Sequence, residues 1–390
     1  MLESLLAGTN LPNLHPAVLH FPIVLLSLAV PLEVIALWRR DQRALQVASV
    51  LLYLLGSLAA LATWWSGRQA ADAVGLVDAQ VQLLISEHSD LALRTVWFFG
   101  VVAVGRLAVE LLRRKMDPTI ALVSRIVLLL PAAVGIWMLA ETADRGGGLV
   151  YTHGVAVRGI QTPGPSTDST GTREIAEGHT PRTQGGEGGA VVEPSSPAAF
   201  TPLITRDNGT MVWRPESTDK GALGGVVEVV KASPDAAVRV VDDPQAPNGL
   251  TLESRGMVFL LLPRPVENVL VIADLDLSAF RGRVGLVHHY QAPDAFECMV
   301  MESGGATALF NRTSAATEEL SRATMDLPTT SARFAVSAAG SHLKGYIDGQ
   351  TVVHGHRPDR GVVGKVGLML HGEGRIRIVE VQVNPVQGSH

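Results

Sequence analysis

The sequence predicts a multidomain membrane protein, an α-helical four-span transmembrane bundle followed by an all-β sandwich. Three observations carry this expectation. Four long apolar runs crowd the first 145 residues, a Gly/Pro/Ser/Thr-rich stretch occupies 159–199, and short β-prone runs separated by turn signals fill the remainder. The whole chain of 390 residues is 47% hydrophobic and 18% charged, where a soluble set of domains would carry about a quarter charged. A net charge of −5 gives no footing for a nucleic-acid partner. The single cysteine, Cys298, excludes an internal disulfide, a thiolate zinc cluster and a c-type haem attachment.

The apolar runs are 16–38, 44–66, 91–112 and 119–140, each long enough to cross about 30 Å of hydrocarbon at 1.5 Å per residue. The lead before the first run has neither Lys nor Arg nor a cleavage signature, so that run is expected to remain as an anchor. Arg39, Arg40 and Arg43 follow the first span, and Arg113, Arg114 and Lys115 follow the third, whereas the opposite connections offer Arg68 and Arg145. The bias of basic residues makes the arginine-rich loops cytoplasmic. The expected location is the bacterial inner (cytoplasmic) membrane, with the N-terminus and everything after residue 145 in the periplasm. Glu33, Arg106, Glu110 and Arg125 then fall in the cytoplasmic third of their spans with cancelling signs. Arg106 and Glu110 stand four apart on one helix and can pair, so the four read as intramembrane charge pairs that fix the bundle.

The same topology collects four histidines at the outer face. His15 and His20 lie at the entrance of the first span, His88 closes an expected interfacial helix over 70–89, and His153 follows the fourth span. Val77, Val81, Leu84 and His88 share one stripe of that helix at 3.6-residue spacing. Neutral imidazoles suit haem iron, copper or zinc, and His20 is expected to lie deepest. The four are candidates for haem b, a transition metal or a quinol head group. Against this stands a structural lock with no cofactor, in which each ring is satisfied by hydrogen bonds; that lock is the preferred expectation.

His15-Pro16, His20-Phe21-Pro22-Ile23, Ser66-Gly67-Arg68-Gln69-Ala70-Ala71-Asp72-Ala73-Val74, Glu87-His88 and Tyr151-Thr152-His153-Gly154-Val155 occur in this order. They resemble the DUF2231 family of four-helix bacterial membrane proteins over about 15–157. The resemblance implies that His15, His20, His88 and His153 are the marked positions. It also implies a distant likeness to two-haem membrane cytochromes.

Twenty-three of the 41 residues over 159–199 are Gly, Pro, Ser or Thr and none is aromatic, so this stretch reads as a linker between a 1–158 membrane domain and a 200–390 periplasmic domain. Strands are expected at 225–231, 249–253, 257–262, 269–277, 283–290, 296–301, 333–336, 343–347, 351–354, 366–370 and 376–383. Asp348-Gly349 is a two-residue hairpin signal. Leu343-Lys344-Gly345-Tyr346-Ile347-Asp348-Gly349-Gln350 and Gly364-Lys365-Val366-Gly367-Leu368 are similar to the concanavalin A-like jelly roll of lectins, glucanases and laminin-G modules, over about 210–384. Enzymes, sugar binders and adhesion modules share that fold. The Glu-x-Asp-x-x-Glu strand of the glucanases is absent. Asp274/Asp276 and Glu297/Glu302 are the candidate carboxylate pairs, with Asp274/Asp276 also a calcium candidate. His354 and His356 stand at a chelating i, i+2 spacing that also fits a polar strand edge.

The expected function is a non-catalytic membrane subunit, not an enzyme. Its linker and sandwich would dock on periplasmic and transmembrane protein subunits of a larger complex, respiratory or photosynthetic in kind. The alternatives are a haem- or metal-holding redox protein and an envelope glycan binder. The lipid bilayer is a partner in every case.

Overall fold

The computed structural model describes residues 14–156, 203–215, 222–243, 249–325, 331–357 and 361–386. The expected linker at 159–199 lies outside the described residues. A single helical turn, α1 (His15–Val18), leads into α2 (His20–Trp38), followed by α3 (Arg43–Ala73), α4 (Ala79–Leu112) and α5 (Pro118–Tyr151). These supply four helices long and apolar enough to cross a membrane. Their centre holds Leu26, Ala29, Tyr53, Phe99, Ala103 and Ala132. Close approach is possible because Gly135 faces the Phe99 ring, where an added Cβ would sit 2.7 Å from it. Leu58, Trp97, Leu130 and Trp137 point outward, an arrangement suited to a lipid surround.

The intramembrane charges meet in one network. Arg106 Nε donates to Glu33 Oε2 at 2.9 Å and Arg125 Nε to Glu33 Oε1 at 2.7 Å, so one carboxylate from α2 ties α4 to α5. Ser49 Oγ on α3 donates to the same carboxylate at 2.5 Å. Glu110 lies 3.7 Å from Arg106 and 3.0 Å from Arg113.

The separate interfacial helix expected over 70–89 is replaced by two helical extensions. α3 runs unbroken past Ser66 to Ala73, and α4 begins at Ala79 with the Asp78 side chain accepting from the Gln80 N–H at 2.8 Å. No proline or glycine pair interrupts 89–91, so the helix that was to end there continues into the span. At 1.5 Å per residue the 34-residue α4 is about 51 Å long, far beyond the hydrocarbon thickness. The tip of the α3–α4 hairpin therefore stands out of the membrane. Val77 and Val81 of the expected stripe are buried there with Ile85, Leu149 and Val155.

The C-terminal half is an antiparallel sandwich of fourteen described strands. β1 (Leu203–Thr205), β2 (Met211–Trp213), a short α6 (Ala222–Val226), β3 (Glu228–Lys231) and β4 (Ala237–Val240) precede the long β5 (Leu250–Val266). Then come β6 (Val269–Asp276), β7 (Phe280–Ala292), β8 (Ala295–Glu302), β9 (Ala306–Arg312), β10 (Thr317–Thr324), β11 (Ala332–Ala339), β12 (His342–Ile347), β13 (Gln350–His356) and β14 (Gly364–Pro385). The order is β10-β9-β8-β7-β14-β6-β11-β12-β13. β14 belongs to both layers: residues from Lys365 to Gly374 pair with β7, and those from Arg377 to Pro385 pair with β6. Leu252, Leu260, Val271, Leu286, Phe334, Leu343 and Ile378 fill the space between the layers.

The sandwich sits on the protruding α3–α4 tip. Odd-numbered Val269, Val271 and Ala273 of β6 face the sandwich core, while even-numbered Leu270 and Ile272 face the bundle and bury Ala79 together with Ala335 and Tyr346. The Asp348-Gly349 hairpin is the one the sequence predicts, with φ +48° and +82° at its two central residues. Its Gly349 carbonyl accepts from the Leu76 N–H at 2.9 Å. An expected result follows from the neighbouring contact, where a Cβ on Gly340 would lie 3.2 Å from Ser86 Oγ. Ser86→Cys with Gly340→Cys is expected to give an internal disulfide under mild oxidation, seen as a mobility shift reversed by reductant. Failure to cross-link would place the sandwich elsewhere.

Candidate functional site

Below this apolar contact, β11, β12 and β13 present polar side chains toward the helices. Strand alternation sends Leu343 into the core and Lys344 and His342 outward, and sends Val353 inward and His354 and His356 outward. His342 is the direct cross-strand partner of His356, and Lys344 that of His354. The three imidazoles therefore crowd one corner, with ring centroids 4.4, 4.9 and 5.4 Å apart. A metal-ligating atom from each lies within 4.8 Å of the others.

The helices close this corner. His354 Nδ1 stands 2.8 Å from Asp72 Oδ1 of α3, and His342 Nε2 stands 3.5 Å from Asp90 Oδ1 of α4. His342 Nδ1 and His354 Nε2 face each other at 3.1 Å. Arg68 Nη2 donates to His356 Nε2 at 3.1 Å, and Lys344 Nζ donates to the Ala71 carbonyl at 3.0 Å and lies 3.5 Å from Asp72. A small cavity of about 10 Å³, lined in part by Arg68, Gln82, Ser86, His342, Lys344 and His354, adjoins the cluster; that is room for about one water. Burial, followed by the His342, His354 and Arg68 charges, brings the His356 pKa down to about 4. Burial also lowers His354, against the opposing pull of Asp72. Neutral imidazole is the ligating form.

A second cluster lies inside the sandwich. His289 Nδ1 is 2.7 Å from Glu297 Oε2 and 3.0 Å from Arg357 Nη1, His288 Nδ1 is 3.0 Å from His289 Nδ1, and Arg357 Nη1 donates to Glu297. All four residues are at least 96% buried. This separates Glu297 from Glu302, its partner in the candidate carboxylate pair. Residues five apart on a strand point to opposite faces, and Glu302 pairs instead with Arg283 at 3.0 Å. Asp274 and Asp276 do share a face, but Arg333 grips the first at 2.9 and 2.8 Å and Arg377 meets the second at 3.5 Å. Tyr290 is packed against Phe259 in an apolar cluster.

The four histidines singled out in the bundle are distributed differently. His15 Nδ1 lies 3.1 Å from the Thr63 carbonyl and 3.3 Å from Ser66 Oγ, and its ring rests on Gly67. His88 rests on Gly146 of α5. His20 is exposed on the flank of α2, and its Nδ1 lies 3.1 Å from the Pro16 carbonyl. Five residues advance a helix by roughly 500°, so His15 and His20 face different ways and His20 is not the deep residue of a shared site. His153 is half-buried in the turn after α5. Among the described residues, the sets of three or more metal-type ligands that come together are the two in the sandwich, not these four.

Residues 11–159 match the family model described as a predicted membrane protein, DUF2231. The helical half is a DUF2231 domain. The match ends at residue 159, before the sandwich, so the sandwich and its histidines lie outside it. No curated protein matches the chain. Among solved structures, the carbohydrate binding module CBM66 from Bacillus subtilis is similar at 13% identity, covering 40% of this chain and 96% of that one, with a TM-score of 0.33. A protein of unknown function with a galectin-like fold from Bacillus subtilis has 10% identity, 44% and 94% coverage and a TM-score of 0.35. The exoplasmic/lumenal domain of VIP36, in its Ca²⁺/Man3GlcNAc-bound form, has 8% identity, 48% and 92% coverage and a TM-score of 0.33.

The histidine corner was half legible in the sequence. His354 and His356 stood out by their i, i+2 spacing, but His342 enters through hairpin register and Asp72 and Asp90 through domain docking. The available signal was β6. Its run Val269-Leu270-Val271-Ile272-Ala273 is apolar on both faces, which marks a strand covered on both sides.

Proposed function

We propose that the protein is a non-catalytic membrane subunit whose DUF2231 domain holds a β-sandwich in fixed orientation just outside the bilayer, for docking onto neighbouring membrane proteins. The observation that supports this reading is the seat itself. Leu270, Ile272, Ala335 and Tyr346 close over Ala79, and the 348–349 hairpin bonds to Leu76. A sandwich tethered only by a linker would sample many orientations and lose ordering entropy on every encounter. A seated one presents the same face each time. The orientation proposed is periplasmic, on the inner membrane, because six basic residues lie in the two opposite loops.

Two measurements test this reading. Alkaline phosphatase fused after residue 386 is expected to be active, and an inactive fusion beside an active cytoplasmic reporter would invert the topology. Extraction of native membranes in mild detergent is expected to give a stoichiometric complex with other membrane proteins, stable to gel filtration. A protein that always elutes alone at the mass of one chain in its micelle would sink the docking function.

A second reading, binding of an acidic or hydroxyl-rich glycan, is favoured by an open cleft of about 550 Å³ at one end of the sandwich. It is lined by Arg239, Glu253, Arg255, Arg281 and Glu373, side chains that hydrogen-bond rather than stack. Binding on a glycan array that is lost on Arg255→Ala with Arg281→Ala would establish it.

A further inference from the structure

We propose that His342, His354 and His356 bind one first-row transition-metal ion of the zinc class, in a site completed only when the sandwich is seated on the helices. The argument starts from the two rings that face each other. His354 turns Nδ1 to Asp72 at 2.8 Å, and His342 turns Nε2 toward Asp90 at 3.5 Å. A neutral imidazole has one N–H. When each ring directs its N–H to its carboxylate, two lone pairs remain, on His354 Nε2 and His342 Nδ1, 3.1 Å apart. Two lone pairs at that distance repel, so either His342 gives up the proton on its Asp90 side and donates from Nδ1 to His354, or a metal ion sits between the two nitrogens.

The spacing and the surroundings favour the metal. Bonds of 2.0–2.1 Å in a tetrahedral site place ligand nitrogens about 3.3 Å apart. His356 brings a third nitrogen, because all three ligand atoms lie within 4.8 Å of one another. A carboxylate on the far nitrogen of a ligating histidine is the usual outer support of such sites, and here two such supports come from two helices, α3 and α4. The adjoining cavity of about 10 Å³ has room for about one water, which serves as the fourth ligand. The charges of Asp72 and Asp90 are matched by Arg68 and Lys344 around the corner. Arg68 is the competitor, since its Nη2 donates to His356 Nε2 at 3.1 Å and must withdraw when that nitrogen binds an ion. Asp72 and Asp90 are positioning residues, and the three histidines are the ligands. The site rests on the same seat as the proposed function but not on what the sandwich docks to, so the two tests can fail separately.

The test uses the full chain in detergent, stripped with chelator and titrated with Co²⁺ and then Zn²⁺. One Co²⁺ per chain with the visible absorption of a tetrahedral complex, displaced by Zn²⁺, is the expected result. His342→Ala and His354→Ala are expected to abolish the absorption, whereas His371→Ala, on the exposed part of β14, leaves it unchanged. Asp72→Asn is expected to weaken binding 10–100-fold, the usual consequence of losing an outer carboxylate. Arg68→Gln is expected to bind as tightly as wild type or tighter, an outcome that a purely structural cluster would not give. The full chain carries no other substitution at the cavity, and circular dichroism confirms that each variant is folded. Absence of stoichiometric Co²⁺ in the folded full chain, or wild-type binding by His342→Ala, would overturn the proposal.

Discussion

Glu33→Ala is expected to unfold the membrane domain. The carboxylate is 1% exposed and accepts from two arginines on different helices, at 2.9 and 2.7 Å, and from Ser49. Its removal leaves Arg106 with Glu110 at 3.7 Å and takes from Arg125 its ion-pair partner. Breaking a buried pair by deleting one member costs about 3–5 kcal/mol, because the remaining charge is left without compensation. The apolar surround adds to that cost. Glu33→Gln keeps oxygen and shape but drops the charge, and should fall between alanine and wild type. Melting of the full chain in detergent, followed by the loss of the monodisperse gel-filtration peak, reads the effect. A Glu33→Ala protein as heat-stable as wild type would show that the arginines find other partners and that the network does not hold the bundle.

That network was legible from the sequence because membrane physics leaves few choices. Four charged residues at one depth, with cancelling signs, must meet or be excluded from the span. The spans themselves were legible for the same reason. The elements that were misread share a different origin. β5 passes through Gly256 at φ +73°, and β14 through Gly372 and Gly374 at φ +155° and +125°. Glycines that punctuate a sequence read as turns, yet here they bend strands without ending them. Five short or polar strands, β1, β2, β4, β9 and β10, carry too weak an apolar alternation for sequence alone to predict them. The domain seat was hidden because Ser337, His342, Lys344 and His354 look like the solvent face of a strand. Only the second domain reveals that Ser337 and Lys344 are 2% and 3% exposed. Local pattern fixes which face a residue takes, and tertiary contact decides what that face meets.

The buried Glu297–Arg357 pair is expected to be the most pH-sensitive element of the sandwich. Burial alone would raise the Glu297 pKa, but the His289 hydrogen bond and the charges of His288, Arg357 and His289 outweigh it and bring the group down to about 2 from an ordinary 4.5. Burial, followed by the His289 charge, holds His288 well below its usual range, and the Arg357 guanidinium donates directly to the carboxylate. A carboxylate depressed in the fold contributes stability above its unfolded value, and loses that contribution as pH falls through the folded one. The term is about 3 kcal/mol, fully present above roughly pH 5 and lost toward pH 2. Glu297→Gln is expected to lose it at pH 7 and to keep only the acid loss that comes from the buried His288, whose pKa the fold lowers. Arg357→Met leaves Glu297 buried beside His288 and His289 with no permanent cation and should cost about 3–5 kcal/mol, while the double variant should cost less than the sum by at least about 2 kcal/mol, since neither charge is then stranded. Hydrogen exchange of the β7 and β8 amides in the full chain measures each change where it acts. Additive losses in the double variant, or a Glu297→Gln protein with the acid sensitivity of wild type, would show that the pair does not supply this stability.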